Sequence, residues 1–177
     1  VSDPTEIVSG ITNNSYDIAA CPINLAATLY NKLQGNIQVL SVNTKGVLYI
    51  LEKGNTINSL SDLAGKKLYA TGQGSTPEYI LNYLLEKSGI ADKVTVEYVT
   101  SHDELATLAA SGKATISMLP EPKVTAALTK NADLRIALNL TAEFEKISGK
   151  TLIQGVVIAK KDFVEQNPEA VKMFLKE

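Results

Sequence analysis

Helical and extended patterns take turns along this chain almost without interruption, and that alternation constrains the fold more than any single residue does. The segment DPTEIVSGIT reads as a helix with Asp3 as N-cap, Pro4 in its first turn and Glu6 completing a capping box. YDIAAC is a short apolar strand. PINLAATLYNKLQG is a helix with Leu25, Ala26, Leu29, Tyr30 and Leu33 on one face and Gly35 just past its end. IQVLSVN is a strand, as is VLYILEK after the turn NTKG, and NSLSDLAGKK holds one turn capped by Ser59 and Asp62. The pattern then restarts.

KLYAT is a strand, and Tyr79, Ile80, Tyr83, Leu84 and Leu85 mark the buried stripe of a helix ending at Gly89. VTVEYV is a strand, and SHDELATLAASG a helix with Ser101 opposite Glu104, Leu105 and Leu108 facing inward, and Gly112 as the stop. The strands ATISMLP and LRIALNL flank a helix in EPKVTAALTKN. TAEFEKISG is a short helix, LIQGVVIAKK the last strand, and NPEAVKMFLKE a final helix with Asn167 as N-cap. Strands joined through helices imply an α/β fold, with parallel pairing through right-handed crossovers and helices on both sheet faces.

A chain of 177 residues allows one domain or two small lobes. The interruption near residues 54 to 66 and the apolar return near 152 to 159 suit a chain that leaves one lobe, builds a second and comes back. Both ends read as cut. The last helix runs out without a glycine or proline stop and the first has no strand before it, so further elements are expected on each side.

Charge removes several functions. A formal net charge of −2 with no Lys/Arg run supplies neither a nucleic-acid-binding field nor a basic membrane-surface patch. No apolar run approaches the roughly 18 residues of a membrane span, and VSDPTEIVSG is neither cationic nor apolar enough for a signal peptide. The single cysteine rules out an internal disulfide and a cysteine-rich zinc site. Cys21 in DIAAC imitates a bacterial lipid-attachment signature, but the preceding SGITNNSYD is polar, so Cys21 reads as a small buried hydrophobe.

The loop TGQGSTP, residues 71–77, carries the most chemistry. Its G-x-G-x-x-P lacks the third glycine or alanine of a dinucleotide fingerprint, and it has no P-loop lysine. A helix start with unpaired N–H groups, preceded by glycines and by Ser75 and Thr76, suits an oxyanion. Thr76 before Pro77 is also a good N-cap, and Ser75 with Glu78 a good capping box; the loop alone leaves both readings open. Asn24, Asn43, Thr44 and Glu121 stand at other strand ends, where ligands of open α/β sheets sit, although each also suits a cap or a turn. No catalytic or metal constellation emerges. His102 is the only histidine and reads as a surface residue, while Asp103, Glu104, Glu143 and Glu145 read as solvated helix faces. Tyr69, Tyr79 and Tyr83 read mostly as core, with one of them able to stack on a ligand ring.

YDIAACPINLAATLYNK, INSLSDLAGKKLYATGQGSTPEYILNYLLEKSG, ELATLAASGKATISMLPEP and QGVVIAKKDFVEQNPEAVKMFL, in this order, resemble the solute-binding proteins of ABC importers. The likeness is to the type II periplasmic-binding fold, in the branch handling nitrate, sulfonates, taurine and thiamine-pyrimidine precursors. It implies two α/β lobes of parallel sheets flanked by helices, truncated at both ends, with residues 1–55 and 152–177 in the first lobe and 60–151 in the second. It further implies ligand held between the lobes by Asn24, Gly74, Ser75, Thr76 and Glu121, to which the strand-end reading adds Asn43 and Thr44, with no catalysis, cofactor or metal. Glu121 departs from members that bind simple anions and suits a cationic or hydrogen-donating group. The partners implied are a small polar or anionic molecule and a membrane permease, with no nucleic acid, for a bacterial, extracytoplasmic monomer in the periplasm or on a lipid anchor. Two alternatives share the fold. One is the effector-sensing domain of a regulator. The other is a thiamine-pyrimidine synthase-like enzyme, for which one His and one Cys are too few.

Overall fold

In the computed structural model, which describes residues 4–176, the chain forms two compact units: residues up to Lys45 together with those from Ile153 on, and Gly46–Leu152. The order along the chain is α1 (Pro4–Thr12), β1 (Ile18–Pro22), α2 (Ile23–Lys32), β2 (Ile37–Lys45), β3 (Leu48–Lys53), β4 (Lys67–Ala70), α3 (Thr76–Lys87) and β5 (Thr95–Tyr98). Then come α4 (His102–Ala110), β6 (Ile116–Pro120), α5 (Lys123–Lys130), β7 (Leu134–Asn139), α6 (Leu140–Ser148), β8 (Ile153–Lys160), α7 (Lys161–Gln166) and α8 (Pro168–Phe174). The expected cap at Asp3 lies outside the described residues.

The first unit holds a three-stranded sheet in the order β1-β8-β2. Both outer strands run antiparallel to β8, so β1 and β2, which α2 connects, share a direction. The second unit holds a five-stranded sheet in the order β5-β4-β6-β3-β7. There β4 pairs parallel with β5 and β6, and β3 runs antiparallel to β6 and β7.

The sheets are therefore mixed, where all-parallel pairing is expected from the sequence. A helical crossover sets direction only between the strands it joins. β3 follows β2 directly and β8 arrives from α6, so neither is delivered by a crossover from a strand of its own sheet. The same strand corrects the boundary. Residues 46–55 are expected with the outer segments, yet β3 lies between β6 and β7, with Leu48, Ile50 and Leu51 at or near full burial.

Alternation along β3 shows why both faces of this sheet need helices: neighbouring side chains on a strand point to opposite faces. Ile50 joins Leu68, Met118, Leu81 and Leu84 in a cluster under α3 and α6. Leu51 joins Leu119, Leu105, Ala109, Val124 and Ala127 under α4 and α5. Each fully buried leucine contributes about 1.5–3 kcal/mol. In the first unit, Ile7 and Ile11 of α1 and Ala26 and Leu29 of α2 pack on Cys21, Ile37, Val156 and Ile158. Burial raises the Cys21 thiol above its ordinary pKa, so it stays a neutral apolar filler.

Caps place several elements. Ser101 Oγ accepts from the Glu104 N–H at 3.1 Å, and Asn139 Oδ1 accepts from the N–H groups of Thr141 and Ala142 at 3.0 and 3.2 Å. Ser59 and Asp62 form the expected reciprocal box. Other readings shift. Tyr30 is 51% exposed and lies off the inner face of α2, and α7 begins directly after β8 without a side-chain cap to announce it. Asn167 makes no side-chain cap to α8; its Nδ2 donates to the Phe163 carbonyl instead.

Gly46 has a steric reason for being glycine. A Cβ there would lie 1.9 Å from Thr141 Oγ1 and 2.7 Å from Thr141 Cβ. Gly46→Ala is accordingly expected to lower stability by about 1–3 kcal/mol through overpacking. Thr141→Gly should recover part of that loss in the double variant, and urea melts of the three proteins check it.

Candidate functional site

Three of the candidate residues gather at one end of the first unit's sheet. Pro22, Gly155 and Thr44 stand side by side across β1, β8 and β2, and Asn24 follows two residues beyond Pro22. A register shift between Val42 and Thr44 bulges the edge strand at Asn43. The Asn43 and Thr44 side chains then lie over Gly155, where a Cβ would come within 2.6 Å of Asn43 Oδ1 and 2.9 Å of Thr44 Oγ1. Asn24 sits half-buried in the first turn of α2, its carbonyl accepting from Thr28 Oγ1 at 3.1 Å.

In the second unit β4, β5 and β6 are parallel neighbours, so the segments leaving their C-terminal ends emerge together. This end carries Gly74, Ser75 and Thr76 after β4, His102 after β5, and Glu121 after β6. Gly72 and Gly74 have φ of 80° and 75°, left-handed values that favour glycine. They turn the chain so that Gln73 and Gly74 are exposed before α3 begins.

The capping expectation for this loop is not met. Ser75 occupies the N-cap position of α3, but its side chain accepts no helix N–H; Ser75 Oγ donates to the Gly72 carbonyl at 2.6 Å. Glu78 does not reach the N-cap N–H. Its Oε2 accepts from the Gly74 N–H at 2.6 Å, and Tyr79 Oη donates to the Gly74 carbonyl at 3.1 Å. Tyr79 is 54% exposed and not core. Burial first, then the charge and hydrogen bond of Glu78, push the Tyr98 phenol up to about 12, so Tyr98 stays a neutral donor beside that carboxylate.

Glu121 caps α5: its carboxylate accepts from the Thr125 N–H at 3.2 Å and from Thr125 Oγ1 at 3.0 Å. The Asp103 carboxylate takes the Lys123 ammonium at 2.5 Å, which holds Asp103 below its ordinary range. His102 is no surface residue. Its Nδ1 lies 2.5 Å from Oγ1 of Thr71, which is 2% exposed, and the ring is half-buried. Burial and the nearby Lys123 charge lower its pKa, partly opposed by Asp103, so the imidazole is neutral at pH 7.

Two residues at this end, His102 and Glu78, thus stand differently from what the sequence suggests. The rule that singled out Glu121, a polar side chain just past a parallel strand, applies equally to His102 after β5. The sequence suggests only a capping-box role for Glu78, whereas its carboxylate accepts from the Gly74 N–H. Among the described residues, no three His, Cys, Asp or Glu side chains gather as a metal site needs.

The sequence model of the NMT1/THI5-like family matches residues 31–177. The chain belongs to that family. No curated protein matches it by sequence. Among solved structures, an ABC transporter protein from Parabacteroides distasonis is 25% identical with a TM-score of 0.77, over 97% of this chain and 59% of that one. The periplasmic aliphatic sulphonate binding protein SsuA of Escherichia coli aligns at 17% identity with a TM-score of 0.76, over 98% and 57% of the two chains. The alkanesulfonate-binding SsuA of Xanthomonas axonopodis pv. citri, bound to MOPS, aligns at 19% identity with a TM-score of 0.63, over 99% and 59%. The last two likenesses concern the fold. The chain spans less than two thirds of the length of each of these structures, and its architecture is that of periplasmic binding proteins.

Proposed function

We propose that this chain is part of an extracytoplasmic solute-binding protein of an ABC importer, which captures a small polar or anionic molecule and hands it to a membrane permease. The two units serve as its two lobes, the protein acts as a monomer, and no chemical step occurs. The observation that carries this reading is the Gly-Gln-Gly-Ser-Thr loop at the C-terminal end of β4, exposed at Gln73 and Gly74, in a chain of this family whose structural neighbours include sulfonate-binding transport proteins. Backbone N–H groups at the start of α3, with the positive end of its dipole, suit an oxyanion. Within the first unit, Asn24, Asn43 and Thr44 present neutral hydrogen-bonding groups suited to a polar ligand at one end of its sheet. A non-catalytic role is supported by what the nucleophilic and basic groups do: the Cys21 thiol is buried, and His102 is engaged with Thr71.

The test begins with a thermal-shift screen of the full-length protein against sulfonates, amino-pyrimidines, carboxylates and amino acids. The best hit is then titrated calorimetrically into wild type and the Ser75→Ala/Thr76→Ala double variant. Affinity is expected to fall at least tenfold, about 1.4 kcal/mol, while the melting temperature moves little because the Ser75 hydroxyl bonds to the Gly72 carbonyl within its own loop and caps no N–H of α3. Equal affinities would leave the loop a purely structural turn.

A further inference from the structure

The geometry points to Glu78 as a specificity-determining residue of this loop, one that disfavours bare anions and admits ligands carrying a hydrogen-bond donor beside their oxyanion; we propose this role on the reading that the loop holds the ligand. The Gly74 N–H, exposed between the left-handed Gly72 and the N-cap Ser75, is the donor an incoming oxyanion would meet. It is already taken by the Glu78 carboxylate at 2.6 Å, and Tyr98 shares that carboxylate. Glu78 is a built-in anion in the place of the ligand's anion.

Exchanging one oxyanion for another at the Gly74 N–H is nearly neutral for that donor. The cost lies with the displaced carboxylate, which keeps its charge a few ångströms from the newcomer, and like charges at such range disfavour each other. Neighbouring groups do little to offset this. Glu121 is a second carboxylate at the same strand ends, Lys123 is paired with Asp103, and His102 is neutral at pH 7. A ligand bringing an ammonium, amide or hydroxyl next to its oxyanion gives Glu78 a replacement for the N–H it gives up, so the exchange costs less.

Calorimetric titration of the full-length protein with methanesulfonate and with 2-aminoethanesulfonate tests this in wild type, Glu78→Ala and Glu78→Gln. Wild type is expected to prefer the amino-bearing sulfonate at least tenfold. Both variants should reduce that ratio to within about threefold, chiefly by binding methanesulfonate more tightly. Glu78→Gln keeps the side chain's size, so a folding defect confined to the alanine variant leaves the measurement intact. A ratio unchanged from wild type in both variants would overturn the role of Glu78 while the loop site stands, provided the Ser75/Thr76 double variant still loses affinity. Failure of all these proteins to bind either sulfonate would overturn both readings.

Discussion

Arg135→Ala should lower the stability of the second unit by about 3–5 kcal/mol, read as a reduced urea midpoint, because it strands a buried carboxylate. Glu52, on β3, is 2% exposed. Its Oε1 accepts from the Thr56 N–H and hydroxyl at 2.8 and 2.6 Å, and its Oε2 from the Ile57 N–H at 3.2 Å and from Arg135 Nη2 at 2.6 Å. Arg135, on β7, also donates to the carbonyls of Gly54 and Ile57. One guanidinium thus neutralises the carboxylate and pins the loop that follows β3. Replacing both residues together, as in Glu52→Leu/Arg135→Met, should cost less than Arg135→Ala alone, since no unpaired charge remains buried. The loop's interrupted sequence reads as a break between lobes, but its hydrogen bonds make it part of the second unit.

The same pair gives the stability a pH dependence of definite sign. Burial alone would raise the Glu52 pKa; the hydrogen bonds from Thr56, Ile57 and Arg135 outweigh it and hold the folded-state value below the ordinary 4.5. A carboxyl depressed on folding contributes stability that is fully present above its unfolded pKa and is lost as pH falls through the folded value. Asp62 and Asp103 are shifted in the same direction. Stability is therefore set to decline below about pH 4.5, and Glu52→Gln should flatten that decline while lowering the plateau at neutral pH.

Why some of this was legible in the sequence and some not comes down to the range of the interactions. The apolar period of Ile80, Leu84 and Leu85, the cap of Ser101 on Glu104 and the stop at Gly112 are settled within one or two turns, and they read correctly. The strand-end positions of Asn24, Asn43, Thr44 and Glu121 follow from element order alone. The partners of β3 do not: Leu51 pairs with Ser117 and Ile136, more than sixty residues away, and no local pattern states that. Burial of His102 depends in the same way on Thr71, across 31 residues. Glu78 failed for another reason. The spacing that lets a glutamate reach the N-cap N–H also lets it reach the N–H one residue earlier, once two glycines have turned the loop.

On the proposal that this loop holds the ligand, its dependence on shape makes Gly72→Ala the most damaging single change expected for ligand binding. At φ of 80°, alanine pays a conformational cost of about 1–2 kcal/mol that glycine avoids. Here the new Cβ would also fall 2.9 Å from Pro77 Cγ and 3.0 Å from Ser75 Oγ, the hydroxyl that closes the loop onto the Gly72 carbonyl. Pro77 cannot swing aside, because its ring is fixed in the first turn of α3. The loop must therefore open, carrying the Gly74 N–H away from the start of α3. Gly74→Ala is the matched control. It sits at φ of 75° with nothing within 4 Å of the added Cβ, so it bears the backbone cost without the collision. Gly72→Ala is expected to lose ligand affinity by a hundredfold or more, about 2.7 kcal/mol, and Gly74→Ala by roughly tenfold. Calorimetry on both variants, with thermal melts to confirm folding, measures the difference. Equal losses would mean that the strain of the left-handed backbone, and not the packing of the loop on Pro77 and Ser75, sets the shape that the ligand meets.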